Sequence, residues 1–501
     1  MFQRSDTSLD NLLKKRNYNI PIHEQICQYF IDRISSKMMK HGEKLPSVRQ
    51  LSKELGVSLV TVQKAYQQLQ QRGYVESFQG KGIFVKSTNQ KEDVDDLHTS
   101  WHMLVPDYVP RAQSLSISQP MRNIRYNLGT ASIHGNLLHT EWMKKTAMQV
   151  IEENPHMLGQ SSSANGDLEF RKAVSDYLQS KQLSIAPEHI LAVSGAQQGI
   201  ELVAKTFIGP NDVVLMEAPT YPGSIDIFKS RGAQIIPIPV EQDGIDTKML
   251  LKLCDQYHPK LLYINPTFQN PTGTTLSVKK RKELVDIAES YHFLILEDDP
   301  WSELYFEEKP PAPIKSFDTS GHVIYLKGFS KFLSPSCRIG ALVAEGPLLE
   351  KLVAAKSISD LGSPLLTQKI IAGLLQSKEL NKVLQNLRTD LKNRAKQCVQ
   401  LLHQCFSLLT YRSPSGGNTV WVKLPQNVHA DLLLEYCHTK QLTFLPGSAC
   451  FPTHVPNQYI RISFAGLPLD ELKQSMKILC DTINSLSSTR NQYSLENYPI
   501  F

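Results

Sequence analysis

The chain has 501 residues, enough for two to four domains of roughly 100 to 200 residues, which excludes a single small module. With 41% hydrophobic and 20% charged residues, its composition is that of a folded globular protein and excludes disordered and collagen-like classes. Residues 1–86 contain fourteen Lys/Arg and seven Asp/Glu and therefore carry a net charge of +7. The formal net charge of the whole chain is +6, so the remaining residues carry −1. A small basic module with a polyanionic partner, joined to a large and nearly neutral one, is therefore expected.

The eight cysteines are scattered, without a C-x-x-C pair or clustered histidines. This spacing predicts neither a metal site nor a disulfide framework. The segment MFQRSDTSLDNLLKKR lacks the apolar stretch of a signal peptide, and no stretch approaches the roughly 20 apolar residues of a membrane span. We expect a cytoplasmic protein without a membrane partner.

Three short helices are predicted near the start of the chain. The first begins after Pro21, the second follows Ser47 as its cap and ends at Gly56, and the third follows Ser58 and ends at Gly73. The last two, joined by a tight turn, form a helix-turn-helix. Apolar residues at helical spacing define the buried faces: Ile22, Ile26, Phe30 and Ile34; Val48, Leu51 and Leu55; Val62, Ala65, Tyr66 and Leu69.

The opposite face of the third helix is polar and almost free of acidic side chains. It is followed by YVESFQGKGIFVK, which predicts two strands around a small cationic tip at Gly80-Lys81-Gly82. Such a wing can lie against a phosphate backbone. The alternative is a small helical bundle whose polar face contacts only water, but the basic charge and the hairpin favour DNA.

The segment LPSVRQLSKELGVSLVTVQKAYQQLQQRGYVESFQGKGIFV resembles, over its whole length, the winged helix-turn-helix of GntR-type bacterial regulators. The resemblance implies that double-stranded DNA is a partner, contacted mostly through phosphates, while side chains early in the third helix reach base edges. Some relatives carry arginines on this helix, whereas Leu59 and Gln63 here favour thymine-methyl packing or an adenine contact. The implied DNA-binding residues are Arg49, Ser58, Leu59, Thr61, Gln63, Lys64, Gln79, Gly80, Lys81 and Gly82.

Residues 88–120 have no sustained period, are acidic at their start and contain three prolines. They predict a linker, because more than about 15 structureless residues are uncommon inside a compact domain. The expected organisation is a DNA-binding domain at 18–87, the linker at 88–120, a large domain at 121–485 and a tail at 486–501.

Apolar runs of four to six residues alternate with helical patterns in the large domain: ILAVSG before AQQGIELVAKTF, then DVVLME, KLLYI, FLILED and HVIYL. This alternation predicts an α/β domain with a mostly parallel central sheet covered by helices on both sides. Ligands of such sheets bind at the carboxyl ends of the strands.

Unusual polar residues follow these strands. Ser194-Gly195-Ala196-Gln197 opens a helix after ILAV, so its N–H groups can approach a phosphate, although glycine turns before helices are also common without any ligand. Asp298 follows FLIL, and a buried carboxylate there needs a cationic partner such as a protonated pyridine nitrogen. Lys331 and Arg338 follow HVIYL; taken singly Lys331 would be a surface lysine, but near a cation it can lose its proton and attack an aldehyde.

The ordered set formed by the phosphate turn, Tyr221, Asn270, Asp298, Lys331 and Arg338 resembles fold type I pyridoxal phosphate (PLP) enzymes of the aminotransferase family over roughly residues 125–485. The resemblance implies PLP as cofactor and a smaller C-terminal α/β subdomain. It further implies that Lys331 forms the internal aldimine, Asp298 pairs with the pyridine nitrogen, Asn270 bonds the ring hydroxyl and Tyr221 stacks on the ring. Gly195, Ala196, Gln197, Ser330 and Arg338 would hold the phosphate, and Arg461 would receive a ligand α-carboxylate unless it is a structural ion-pair residue.

Three positions depart from the pattern of these enzymes. Many relatives have the sequence EDDPY where this chain has EDDPW, so Trp301 takes the place of a tyrosine. Gly328, three positions before Lys331, takes the place of a residue with a hydroxyl group. Ser161 takes the place of a tyrosine that, in relatives, reaches across the dimer to the phosphate. Each loss removes a contact worth about 1 kcal/mol. Efficient transamination is therefore less expected than cofactor binding.

A GntR-type head linked to an aminotransferase-like body is the architecture of the MocR subgroup of bacterial transcription regulators. The favoured hypothesis is a homodimeric, PLP-dependent regulator that senses PLP, an amine or an amino acid through the aldimine of Lys331. The alternative is a working aminotransferase that acts on amino acids and 2-oxo acids, with the head only localising or regulating it. A third possibility is a regulator with a cofactor-free body.

Overall fold

A computed structural model of the chain describes residues 21–35, 39, 42–78, 82–86, 124–405, 409–453 and 457–495. These residues divide into two compact units, a head at 21–86 and a body at 124–495. The whole predicted linker (88–120), the wing tip Gln79-Gly80-Lys81 and residues 496–501 of the predicted tail lie outside the described residues.

The head is a helix-turn-helix followed by a hairpin, as the sequence predicts. Both predicted caps are present, because the hydroxyl of Ser47 accepts a hydrogen bond from Gln50 N–H and that of Ser58 accepts one from Thr61 N–H. Gly56 ends the second helix in the left-handed conformation (φ +60°). The elements are α1 (Ile22–Ser35), α2 (Val48–Leu55), α3 (Leu59–Gln71), β1 (Val75–Phe78) and β2 (Gly82–Val85), with β1 and β2 antiparallel.

The predicted apolar faces form the core of the head. The α3 stripe Val62, Ala65, Tyr66 and Leu69 is buried. The ring of Tyr66 meets Phe30 of α1 edge-on, and its hydroxyl donates a hydrogen bond to the carbonyl of Pro46 at 2.9 Å. This packing fixes α3 by one face and leaves its other face to solvent.

The body is built on an eight-stranded sheet whose spatial order is β4-β11-β10-β9-β8-β5-β6-β7. Only the pairings of β11 with its two neighbours and of β7 with β6 are antiparallel, so the sheet is mostly parallel, as predicted. The strands are β4 (Ile190–Val193), β5 (Val213–Ala218), β6 (Gln234–Glu241), β7 (Gly244–Ile245), β8 (Leu261–Ile264), β9 (Leu294–Asp299), β10 (Val323–Gly328) and β11 (Gly340–Val343).

Helices cover both faces of this sheet. In β5, Val214 and Met216 pack in one hydrophobic cluster with Ile200, whereas Leu215 between them packs in another with Leu250 and Leu284. Alternate residues of one strand therefore enter opposite cores, which is why the strand sequences are apolar throughout. The helices are α4 (Thr140–Glu153), α5 (Leu168–Gln179), α6 (Ala196–Phe207), α7 (Pro222–Ser230), α8 (Thr247–Tyr257), α9 (Val278–Tyr291), α10 (Gly346–Ser359) and α11 (Leu365–Gln376).

A smaller C-terminal α/β subdomain follows, also as predicted. Its four strands form an antiparallel sheet in the order β12-β13-β16-β15, and β14 pairs with β3 near the start of the body. The last helix continues beyond residue 485, where the tail was expected to begin. The elements are β3 (Tyr126–Asn127), α12 (Leu380–Cys405), β12 (Thr410–Tyr411), β13 (Thr419–Lys423), α13 (Ala430–Thr439), β14 (Leu442–Thr443), β15 (Leu445–Pro446), β16 (Tyr459–Ser463) and α14 (Leu469–Leu495).

One disulfide corrects the expectation drawn from the cysteine spacing. Cys405 at the end of α12 is bonded to Cys480 in α14, with their Cα atoms 5.2 Å apart. The two residues are separated by 75 positions, so only the packing of the helices brings them together. Among the helices that the structure describes, none is both long and apolar enough to cross a bilayer.

Candidate functional site

A cavity of about 720 Å³ lies at the carboxyl ends of the parallel strands. The structure brings nine of the ten candidate body residues to its wall, and the tenth, Gly195, lies immediately beside it in contact with Arg338. Residues far apart in the sequence thus meet at the edge of the sheet where ligands of such folds bind. The nine are Ala196, Gln197, Tyr221, Asn270, Asp298, Ser330, Lys331, Arg338 and Arg461.

Lys331 points into this cavity from the segment after β10. Its amine donates a hydrogen bond to the carbonyl of Ala131 at 2.7 Å and lies 5.2 Å from the ring centroid of Trp301. Burial, reinforced by the positive charges of Arg461 and Arg338, lowers the pKa of the amine to about 8. About a tenth of the amine is therefore unprotonated, and nucleophilic, at pH 7, far more than for an ordinary lysine.

Asp298 lies at the carboxyl end of β9 with its side chain buried. One carboxyl oxygen, Oδ2, accepts a hydrogen bond from the hydroxyl of Tyr263 at 2.7 Å, and the other, Oδ1, has no partner among the described residues. Burial raises the pKa of this carboxyl to about 7. A buried oxygen without a donor is costly, so the site is suited to a ligand that carries an N–H group.

The start of α6 lies at the cavity wall and is suited to an anion. Gly195 adopts a left-handed conformation (φ +89°), and a Cβ atom there would lie 3.1 Å from the guanidinium of Arg338. Arg338 itself has φ +43°, an uncommon backbone conformation for arginine that directs its side chain to this position. The first N–H groups of a helix lack intrahelical acceptors, so together with the guanidinium they can bind a phosphate.

Arg461 in β16 is buried beside Asn270. Its Nη1 donates a hydrogen bond to Oδ1 of Asn270 at 2.9 Å, and its Nη2 donates one to the carbonyl of Gly129. Its Nε–H is buried without an acceptor in the described part of the chain. Arg461 is thus held by neutral oxygens at the cavity wall and not by a carboxylate partner in these contacts.

Tyr221 precedes α7, and its ring lies at the cavity wall. The hydroxyl donates a hydrogen bond to Oε1 of Gln197 at 2.8 Å, which links the start of α7 to the start of α6. Gly223 accommodates this ring, because a Cβ atom there would lie 2.7 Å from it. The aromatic ring of Tyr221 and the start of α6 are therefore fixed relative to each other.

Sequence reasoning missed several residues that hold the site together. Asn265 donates a hydrogen bond to the carbonyl of Asp298 at 2.6 Å and accepts one from Asn270 N–H at 2.9 Å. Its position directly after β8 is the same signal that identified Asp298, so it could have been found. Tyr263 and Ala131 could not, because Tyr263 sits inside a strand and Ala131 contributes only a backbone carbonyl.

The three departing residues differ in how close they lie to the cavity. Trp301 and Gly328 line it, and a Cβ atom at Gly328 would make an ordinary contact with Ala196 at 3.5 Å. Ser161 is exposed and is not among the described residues that line the cavity.

The second candidate site is the solvent-facing side of the helix-turn-helix. Arg49, Gln63 and Lys64 are exposed there, and Leu59 and the adjoining Val60 are 49% and 63% exposed. The hydroxyls of Ser58 and Thr61 are hydrogen-bonded to each other at the start of α3, so both participate in the cap. Gly82 begins β2 with φ +118°, while its neighbours Gln79, Gly80 and Lys81 lie outside the described residues.

Two family profiles match the chain. The one described as "Bacterial regulatory proteins, gntR family" matches residues 22–85, and the one described as "Aminotransferase class I and II" matches residues 127–479. The two matches coincide with the head and the body.

Individual proteins resemble the whole chain or its body. The chain is 31% identical to the uncharacterized HTH-type transcriptional regulator YisV of Bacillus subtilis over 94% of this chain and 98% of that protein. It is also 31% identical to aromatic-amino-acid aminotransferase 1 of Thermococcus litoralis, over 67% of this chain and 82% of that protein. The crystal structure of LysN, an alpha-aminoadipate aminotransferase of Thermus thermophilus complexed with N-(5'-phosphopyridoxyl)-L-leucine, has a TM-score of 0.72 and 28% identity, covering 78% of this chain and 99% of that one.

Proposed function

We propose that this chain, which belongs to the aminotransferase class I and II family and carries a GntR-type DNA-binding head, is a PLP-dependent transcription regulator. Its body binds PLP through Lys331 and responds to PLP itself, an amine or an amino acid, and its head binds double-stranded DNA. We assign the DNA-binding head to residues 18–87, the linker to 88–120, the body to 121–485 and the tail to 486–501. Helix α14 extends into this tail as far as Leu495. The observation that carries it is the convergence of Lys331, Asp298 and Arg338 on one cavity in a chain with a DNA-binding head.

The residues present fit the cofactor at both of its ends. Asp298 has a buried oxygen without a donor, which suits a protonated pyridine nitrogen. At the other end, Gly195 leaves room for the guanidinium of Arg338 beside the start of α6, which suits a phosphate. When bound, PLP supplies an aldehyde that reacts reversibly with amines and a ring that withdraws electrons.

The remaining residues orient a ligand. Asn270 would donate a hydrogen bond to the ring hydroxyl through its amide nitrogen, because its Oδ1 accepts from Arg461. Tyr221 would cover one face of the ring, and Ala196, Gln197 and Ser330 would contact the phosphate. Arg461 would exchange its neutral acceptors for the α-carboxylate of an amino acid, a stronger and bidentate partner.

Regulation requires a ligand that binds one state of the body better than another. An amine that takes the place of Lys331 changes the charge and the contacts of the cavity wall, and only such a difference can shift an equilibrium. Couplings between sites typically amount to about 1–3 kcal/mol, or roughly 5- to 150-fold in DNA affinity.

A homodimer is supported by apolar side chains on the surface of the body. Leu158, Ile358 and Leu361 are 62%, 82% and 91% exposed. Exposed aliphatic side chains of this size are typical of protein–protein contacts, and Ile358 and Leu361 lie three positions apart at the end of α10. A dimer would present two heads, so the operator would contain two half-sites.

The second candidate function is transamination. It is favoured by the complete set of cavity residues and by the likeness to an aromatic-amino-acid aminotransferase. It is weakened by Trp301, Gly328 and Ser161, each of which lacks a hydroxyl contact found in related enzymes or replaces a longer side chain. The two functions make different demands on the same cavity, so they can be separated by experiment.

The deciding experiment uses the full chain reconstituted with PLP. Binding to the DNA upstream of its own gene is measured with and without a panel of amines and amino acids, and turnover is measured with L-alanine plus 2-oxoglutarate. We expect salt-sensitive DNA binding, a change of roughly 5- to 150-fold in DNA affinity with at least one compound, and slow turnover. Turnover comparable to that of metabolic enzymes without binding to this DNA would identify the chain as an aminotransferase instead.

A further inference from the structure

The amine of Lys331 occupies a defined position at the cavity wall. It donates a hydrogen bond to the carbonyl of Ala131 at 2.7 Å and lies over the ring of Trp301, 5.2 Å from its centroid. Its hydrogen bond is to Ala131 and not to Asp298, whose Oδ1 has no partner among the described residues. A carbonyl oxygen and an aromatic face are both partners of an ammonium group.

We infer that the carbonyl of Ala131 and the indole face of Trp301 form a holding site for the amine of Lys331 after an amino compound has displaced it from the cofactor. The inference rests on the proposed function, since it presupposes covalent attachment of PLP at Lys331. Trp301 is then a positioning residue, which sets how easily the body responds to amines.

When an amino compound displaces Lys331 from the cofactor, the free amine of Lys331 has to be accommodated in the cavity. The nitrogen of the incoming amine forms the new double bond to the cofactor's aldehyde carbon, the bond from that carbon to Lys331 breaks, and the two hydrogens of the incoming amine end on the Lys331 nitrogen. No electrons enter or leave. Lys331 is thereby released as a primary amine, and its free energy in the cavity contributes directly to the equilibrium.

The surroundings of this amine are otherwise unfavourable to it. Burial and the positive charges of Arg461 and Arg338 disfavour the ammonium form, and the charge of Asp298 favours it. The carbonyl of Ala131 and the ring of Trp301 provide the direct contacts that add to this compensation. Removing one of them therefore shifts the equilibrium back towards the cofactor bound to Lys331.

Trp301 is suited to this role by its rigidity and by its ring. Its side chain is 3% exposed and packs in the main core of the body, and its carbonyl accepts a hydrogen bond from the N–H of the buried Leu304 at 2.8 Å. Tryptophan is the strongest of the aromatic partners of a cation, ahead of tyrosine and phenylalanine. The departure from the tyrosine of related enzymes is thus a change in how the released lysine is held.

The test measures displacement directly in the full chain loaded with PLP. The probe is 2-aminoisobutyrate, which has no α-hydrogen and therefore cannot complete transamination, with ethylamine as a second probe that lacks a carboxylate. The absorbance change gives the probe concentration at half displacement, and the PLP dissociation constant is measured separately. The variants are Trp301→Leu, which removes the aromatic face, and Trp301→Phe and Trp301→Tyr, which retain one.

We expect Trp301→Leu to raise the concentration at half displacement about three- to thirty-fold, the range that corresponds to cation–π energies, with the Phe and Tyr variants between it and the wild type. A purely structural role would raise the PLP dissociation constant in all three variants and leave the concentration at half displacement unchanged, which would overturn the inference. If Trp301→Leu binds no PLP, the test rests on the Phe and Tyr variants, whose probe concentration at half displacement must still exceed that of the wild type.

The inference and the proposed function fail differently. If PLP attaches to Lys331 but neither probe displaces it in the wild type, the holding site is wrong and cofactor attachment stands. If the wild type shows no attachment of PLP, both fail.

Discussion

Asp298 is a buried carboxyl residue that lowers the stability of the folded protein when no ligand is bound. Its carboxyl is buried, and burial raises its pKa from 3.8 to about 7. The folded state binds a proton here that the unfolded state has already lost between these two values, so the folded state loses stability as the pH rises from about 4 to 7. A cation placed beside Asp298 removes this cost.

We predict opposite effects of Asp298→Asn on stability and on cofactor binding. In the PLP-free protein the variant should lose only the part of the decline in unfolding free energy between pH 4 and 7 that Asp298 contributes, which at about 1.4 kcal/mol per pKa unit is on the order of a few kcal/mol. The dissociation constant for PLP should rise about 10- to 150-fold, because a charge-assisted hydrogen bond is lost. Thermal unfolding across this pH range and a PLP titration check the two effects.

Glu297→Gln is the matched control. Glu297 precedes Asp298 in β9, is buried, and also has a pKa raised to about 7 by burial. Its carboxyl accepts hydrogen bonds from Ile314 and Lys315 N–H and is not among the described residues at the cavity wall. Equal losses of PLP affinity in both variants would mean that Asp298 acts only through the fold.

At the residue scale, the sequence predicts side chains better than backbone groups. Asp298 and Lys331 were found because each follows an apolar strand and has an unusual charge for that position. The carbonyls of Gly129 and Ala131, which accept hydrogen bonds from Arg461 and Lys331, have no such signal, because every residue carries a carbonyl. Only the folded chain brings these segments within hydrogen-bonding distance.

Helix α3 is the element that should read DNA sequence. Its first turn exposes Leu59 and Val60 without burying them against the head, and Gln63 and Lys64 follow on the exposed side. Aliphatic side chains at this position match the methyl group of thymine in the major groove, and glutamine matches adenine.

We predict that replacing thymine by uracil in the contacted half-site weakens binding of the full chain about four-fold per methyl group, from roughly 0.8 kcal/mol for each buried methylene-sized group. In Leu59→Ala the same replacement should have little effect, because the partner of the methyl group is gone. Anisotropy titrations with DNA selected from a random library measure both. Lys64→Ala is the control and should weaken binding to both DNAs equally; equal sensitivity to uracil in wild type and Leu59→Ala would contradict the readout by Leu59.

The elements themselves were predictable where their signals are local. The segment AQQGIELVAKTF coincides with α6 (Ala196–Phe207), and the Ser47 and Ser58 caps are where the sequence puts them. Strand β6 was not predicted, because its prolines Pro237 and Pro239 argue against a strand, and it lies next to the edge strand β7. Strand β11 has only four residues and runs antiparallel, so it does not follow the alternation that revealed its neighbours.

At the scale of the whole molecule, the chain joins two units with separate cores and different chemistry. The head has its own hydrophobic cluster, and the body has a cavity in which a lysine, a carboxylate and two arginines meet. The sequence alone already distinguishes the two units by charge, because residues 1–86 carry a net charge of +7 and the remainder carries −1. A ligand of the body can affect DNA binding only if the two tasks are coupled, which requires both sites to be intact.

The central claim is that PLP is bound covalently at Lys331. The most direct measurement is borohydride reduction of the full chain saturated with PLP, followed by peptide mass mapping, in the wild type and in Lys331→Ala. We predict that the wild type has an absorbance band near ~420 nm and a reduced PLP adduct on Lys331, and that the variant has neither while retaining salt-sensitive DNA binding. A wild type without an adduct, or a variant that keeps the band and carries the adduct elsewhere, would contradict the account.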